Sequence, residues 1–277
     1  MPVIALTQGM GSLAQDIADQ LARELGLATL QHEVAERVAN KMNVSKSLIS
    51  RLREGKAGPL ERLTADRDSM AVYTAEEVLE TAAKGNVVLR GWGATCLLRP
   101  VPHVPCVRIM RPFAKRVEWL MAELGTDDVD VAEAEIRRSD HANASRMHEQ
   151  FGVNWGDPVL FDLVLNTDRL SVDTCVQQIK ALVARPEFAQ TAASLRLLQG
   201  MALSARVRAA LKATEETEEV DVTIESVDGR VTLRGIVLKP SELDAAQAVA
   251  ADVKGVTGVD NQLRVMASSR LFAAAKH

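Results

Sequence analysis

The chain has 277 residues, enough for two ordinary domains, and is 47% hydrophobic and 25% charged, the balance of a globular protein in water. Its net charge of −4 and pI near 5.8 argue against non-specific nucleic-acid binding, which needs a basic surface. No stretch approaches the roughly 18 apolar residues of a membrane helix. The first apolar run is too short, and lacks the basic lead, for a signal peptide. A cytoplasmic protein with no integral membrane segment is therefore expected. Aromatic residues are only 3% of the chain, so the core should be aliphatic and helix-rich. Cys96, Cys106 and Cys175 show no metal-ligand spacing and read as buried free thiols.

Val3 to Leu6 (VIAL) is a short apolar run suited to a buried strand, and Thr7 to Ser12 (TQGMGS) is a small-residue turn. From Leu13 the period changes: Leu13, Ile17, Leu21 and Leu25 recur as one face of a helix that Gly26 closes. A glycine turn feeding a helix leaves backbone N–H groups unpaired, and the helix dipole adds partial positive charge there. Such an end suits phosphate. The consensus G-x-x-x-x-G-K-[ST] is not met, because no lysine stands in the turn. On these residues alone, a phosphate site and a plain strand–turn–helix opening are both open.

Ala28 to Leu30 suggests a second short strand, and helical stretches follow from Gln31 to Asn40 and from Asn43 to Arg53, with Ser45 as a candidate cap. Gly55 to Pro59 reads as a loop, and Asp68 to Ala83 as a long helix ended by Gly85. Asn86 to Arg90 is the next core strand, and Gly91-Trp92-Gly93 a tight turn. Val104 to Ile109 is a third core strand, Arg111 to Leu124 a helix with basic residues Arg111, Lys115 and Arg116, and Val131 to Gln150 a polar helix. Leu160 to Asn166 is the fourth core strand, and Val172 to Val183 a closing helix. Strands alternating with helices predict an α/β fold, a parallel sheet with helices on both faces.

Past Arg185-Pro186 the pattern changes. Residues 185–199 read as a helical linker, and Leu195 to Lys212 as helix. Two alternating runs, EVDVTIES and RVTLRGIV, flank Asp228-Gly229, a strong hairpin signal. A helix from Glu242 to Val253, capped by Ser241, and a last strand from Val259 to Val265 complete a small α+β layer with one antiparallel sheet.

Several single residues invite a chemical reading. Tyr73 and Trp155 can stack on a base, although Trp155 also suits a packing anchor. His32 and Glu33 point about 100° apart on a helix, which disfavours a shared metal. His141 and His148, seven apart, suit either a metal or a polar helix face. Lys84 ends its helix as a dipole partner. The run Glu215-Glu216-Thr217-Glu218-Glu219 reads as a solvated turn and discourages anionic lipid there.

Longer matches now become visible. TQGMGSLAQDIADQLARELG, NVVLRGWGATCLLRPVPHVPCVRIMRPFAKRVEWLM and FGVNWGDPVLFDLVLNTDRLS together make residues 1–184 resemble the cytidylate kinase-like family of P-loop proteins. The third segment is the longest and most specific. Residues 200–268, ending in KGVTGVDNQL, resemble the BON domain, a module usually credited with lipid or protein association.

The resemblance implies ATP-dependent phosphoryl transfer to a nucleoside monophosphate of the CMP type, chemistry that is positioning plus charge neutralisation. It implies that the N–H groups of Gly9, Met10, Gly11, Ser12, Leu13, Ala14 and Gln15 hold ATP phosphates, with magnesium near Ser12. A basic lid would carry Arg137, Arg138 and Arg146, with Asp140 orienting one of them. Arg138 and Arg146 lie two turns apart and can share a face; Arg137 and Arg138 cannot. Gln31, Tyr73 and Trp92 would face the acceptor nucleotide. The departures are specific. Leu13 and Ala14 replace two glycines of the family turn, Trp92 replaces an arginine, Gln31 an acid, and His141 follows Asp140 where the family often has arginine. Of these, Leu13, Trp92 and Gln31 favour two other readings: a nucleotide-sensing regulator without turnover, and an assembly protein that acts through the BON-like domain by binding a protein partner or itself.

Overall fold

A computed structural model describes residues 2–30 and 32–266. The chain divides into two compact units, one ending at Leu198 and one beginning at Gln199.

The first unit runs β1 (Val3–Gln8), α1 (Ala14–Leu25), β2 (Ala28–Leu30), α2 (His32–Lys41), α3 (Lys46–Glu54), α4 (Pro59–Thr64), α5 (Arg67–Lys84) and β3 (Val87–Arg90). It continues with α6 (Ala94–Leu97), β4 (Cys106–Met110), α7 (Phe113–Leu124), α8 (Val129–Phe151), β5 (Leu163–Asn166) and α9 (Val172–Val183). Five strands pair in the order β2-β3-β1-β4-β5, all parallel. β1 is central: Val3 to Leu6 register with Val87 to Arg90 on one side, and Ala5 to Gln8 with Cys106 to Ile109 on the other. A strand covered on both faces has no polar side to show, which is why VIAL reads as an unbroken apolar run. Ile17 and Leu21 of α1 and Val176 and Ile179 of α9 pack in one core with Ile4, Leu6, Val88 and Val107. Ile4, Leu6, Ile17 and Leu21 are fully buried, each worth roughly 1.5–3 kcal/mol against exposure. That core fixes the carboxyl end of β1, and so the turn that follows it.

The predicted strands and helices of this unit are present, with small boundary differences. Ser45 caps α3 by accepting from the Leu48 N–H at 3.2 Å. α4 was not expected. Pro59 at its first position supplies a helical φ without needing a donor, and Glu61 accepts from the Gly58 N–H at 2.9 Å.

In the second unit, α10 (Ala192–Lys212), which begins before the boundary, leads to β6 (Val222–Val227), β7 (Arg230–Val237), α11 (Pro240–Asp252) and β8 (Gly258–Val265). Asp228 and Gly229 both have positive φ, as the tight hairpin requires. The sheet is mixed, correcting the antiparallel expectation: β6 and β7 are antiparallel, but β8 runs parallel to β7. The chain leaves β7 through α11, and a helical crossover brings a strand back in its original direction. Ser241 does not cap α11. Pro240 takes the first helical position, and Glu242 accepts from the N–H groups of Leu238 and Lys239 at 2.8 and 3.2 Å. Val207, Leu211, Val231, Leu233, Ala246 and Ala250 form the core of this unit. Among the described residues no helix is long and apolar enough to cross a membrane.

Candidate functional site

The turn after β1 opens onto a cleft of about 280 Å³. Residues 9–15 are among those that line it. Gly11 has φ +78°, and a Cβ there would stand 2.9 Å from Trp119 and 3.2 Å from the Arg116 Cα, so only glycine lets α7 approach this closely. Leu13 also has a left-handed φ of 61° and precedes α1 with no side-chain cap. The first hydrogen bond at this helix end runs from the Ile17 N–H to the Leu13 carbonyl. The N–H groups of Ala14, Gln15 and Asp16 therefore have no acceptor within the helix, and they sit at the positive end of its dipole.

Three arginines from three elements border the same cleft: Arg53 at the end of α3, Arg90 at the end of β3, and Arg146 on α8. None of them is in an ion pair among the described residues. Burial, together with the charges of Arg146 and Arg90, pulls the Arg53 guanidinium down to about 9. Burial brings Arg90 and Arg146 to about 10. All three stay charged at neutral pH, in a place that disfavours their charge. Arg146 donates to the Arg53 carbonyl at 2.9 Å and also to Asn143 Oδ1. Arg90 donates to Gln15 Oε1, and Gln15 is held by Asp19 at 2.7 and 2.8 Å. The Arg53 guanidinium lies 3.9 Å from the centroid of the Trp92 ring. Asp16 and Glu54 border the cleft too, but neither forms an ion pair with these arginines.

Of the expected lid residues, Arg146 alone reaches this cleft. Arg137 is exposed, pairs with Glu133 at 3.0 Å and lies over the Phe113 ring at 4.3 Å. Arg138 pairs with Glu135. Each of these charges meets a carboxylate one helical turn back, and neither side chain lines the cleft. Arg138 and Arg146 do share a face, lining a second cavity of about 620 Å³ among α3, α4, α5 and α8. Asp140 orients none of the three; it takes both guanidinium nitrogens of Arg116, at 2.9 and 2.7 Å. Arg116 also approaches the Met10 carbonyl at 3.4 Å, so the pair braces the loop from behind.

Tyr73 is buried in α5 and is not among the residues that line this cleft. Trp92 lines the cleft and Gln31 lies outside the described residues. Trp155 anchors the late segment: its indole donates to Thr7 Oγ1 at 3.1 Å, and Arg108 lies over its ring at 4.4 Å. Arg53 and Arg90 were missed. Arg90 was findable, because it is the last residue of a parallel strand, and ligands gather at those carboxyl ends. Arg53 carries no such mark.

A family model described as the cytidylate kinase-like family matches residues 3–169, and a BON domain model matches residues 202–267. A cytidylate kinase of Staphylothermus marinus is 24% identical over 58% of this chain and 91% of its own length. One from Pyrobaculum aerophilum is 28% identical over 64% and 90%. Among solved structures, an uncharacterized protein from Eubacterium ventriosum superposes with a TM-score of 0.53 at 17% identity, over 67% of this chain and all of that one, a likeness of fold.

Proposed function

Since the chain belongs to the cytidylate kinase-like family and carries a C-terminal BON domain, we propose that its first unit binds nucleotide phosphates in the cleft beside Gly9 to Gln15. We further propose that it transfers a phosphoryl group from ATP to a nucleoside monophosphate of the CMP type. One observation carries this reading: the uncapped N-terminus of α1 opens on three arginines that form no ion pair among the described residues. An anion there relieves the repulsion among Arg53, Arg90 and Arg146 and supplies acceptors for the N–H groups of Ala14, Gln15 and Asp16. The same groups would neutralise charge on the transferring group, which is most of what phosphoryl transfer asks of a protein. The relatives named cytidylate kinase support CMP as the acceptor to try first.

Magnesium normally accompanies nucleotide phosphates and shields their charge. Ser12 fits it poorly, because its hydroxyl is buried at 1% exposure with no hydrogen-bond partner among the described residues, whereas a metal between phosphates needs an oxygen that reaches them.

A nucleotide-sensing role without turnover is the second reading, and the loop itself favours it. No lysine follows Gly11, and Leu13 and Ala14 put side chains where phosphate must approach closely. In that case the BON unit would pass the bound state to a protein partner or to a second copy. A coupled ADP-release assay across CMP, dCMP, UMP and AMP, run beside thermal melts with ATP, separates the two. Turnover with one acceptor supports the kinase; an ATP-dependent shift without ADP release supports the sensor.

A further inference from the structure

The Trp92 side chain sits on an unusual backbone. Gly91, Trp92 and Gly93 all have positive φ, at 79°, 58° and 71°. Two are glycines and adopt this freely. Tryptophan does not, and a bulky residue held there is strained. The strained turn delivers the indole to the cleft, where the Arg53 guanidinium lies over it at 3.9 Å. The same guanidinium reaches across the turn: a Cβ on Gly91 would stand 2.6 Å from Arg53 Nη2. Arg146 donates to the Arg53 backbone carbonyl at 2.9 Å.

Arg53 needs something to hold it. Its charge is partly desolvated, and Arg90 and Arg146 repel it. A carboxylate would keep it in place but would cancel the charge and repel phosphate. An aromatic face attracts a cation through its quadrupole and leaves that charge available. We propose that Trp92 is a positioning residue, whose ring holds Arg53 over Gly91 as a preorganised phosphate donor on the α3 side of the cleft. This inference rests on the phosphate-binding reading above and adds the means by which an unpaired arginine is kept there.

The test is a double-mutant cycle on the full chain, with pyrophosphate as probe and calorimetry as readout. Trp92→Leu should weaken pyrophosphate by about tenfold. In an Arg53→Ala background the same change should cost less than about twofold, because nothing is left to position. Trp92→Phe should recover affinity to within about threefold of wild type, since a smaller ring still offers a π face. In wild type, NMR should show the Arg53 side-chain protons shifted upfield by the indole, and Trp92→Leu should abolish that shift, a signature available whether or not ligand binds. Wild-type affinity in Trp92→Leu, or equal losses in both backgrounds, overturns the proposal while leaving the phosphate reading standing. Absence of the upfield shift in wild type overturns it too. No pyrophosphate binding by wild type, with the ring shift present, overturns the phosphate reading and this inference with it.

Discussion

Arg137 and Arg138 each meet a carboxylate one turn back on α8, while Arg146, two turns further along from Arg138, stands with Arg53 and Arg90 and forms no ion pair among the described residues. The helix is the same and so is the side chain; the company differs. An exposed i,i+3 or i,i+4 pair settles its own charge and contributes a few tenths of a kcal/mol. A half-buried arginine facing other arginines keeps its field for a ligand. The expected lid was drawn from the family pattern and from the presence of basic residues, and it mixed these two kinds. What separates them is which acids fold back onto them, and that depends on tertiary placement.

The largest effect should come from Arg146→Ala. Removing one charge-assisted donor, and the clasp on the Arg53 carbonyl, should weaken pyrophosphate or ATP by roughly ten- to a hundredfold, read by calorimetry. If the protein turns over, ADP release should fall more than ATP affinity, because charge on the transferring group builds in the transition state. Equal losses in both would reduce Arg146 to a binding residue.

The pH profile comes next. Arg53 titrates near 9 and Arg90 and Arg146 near 10, below the ordinary arginine value. Phosphate affinity should be flat from about pH 7 to 8 and fall as the pH passes 9, when the empty cleft begins to lose protons. Stability should move the other way. A cation whose folded pKa lies below its unfolded value is costly while charged in both states, and the cost is relieved as pH rises through the folded pKa. An Arg53→Ala variant should delay the fall in affinity toward 10; an unchanged profile would remove Arg53 from the site.

Gly11→Ala tests the loop rather than the charges. Its Cβ would meet Trp119 and the Arg116 backbone at a φ that alanine tolerates poorly. Unfolding free energy should fall by about 1–3 kcal/mol, read from denaturant titration. A neutral result would mean that α7 does not press on the turn.

The smallest effect is expected at Arg138→Ala. Loss of its pair with Glu135 should change stability by less than about 1 kcal/mol and phosphate affinity by less than about twofold. A loss to match that of Arg146 would erase the distinction between the two groups.

Much of the scaffold was legible in the sequence, for identifiable reasons. The apolar run VIAL and the four-residue spacing of Ile17, Leu21 and Leu25 state their periods directly. Asp228-Gly229 is what a tight turn demands, and Ser45 caps its helix by purely local chemistry. α4 and the parallel β8 were not legible, because one depends on how a proline restarts a chain after a loop and the other on how a crossover returns it. At the site, the glycine turn could be read because its conformation is local. Asp140 could not be assigned to Arg116, which lies 24 residues away and meets it only across the packing of α7 on α8. Arg53 shows no periodicity, and becomes informative only once Trp92 and Arg146 are seen around it.

The most direct measurement is thermal unfolding of the full chain with and without millimolar pyrophosphate, for wild type and for Arg146→Ala. A ligand that binds the folded state raises its melting temperature by mass action. The account predicts a clear rise for the wild-type transition and most of that rise lost in Arg146→Ala. No rise in wild type, or the same rise in both, would contradict it.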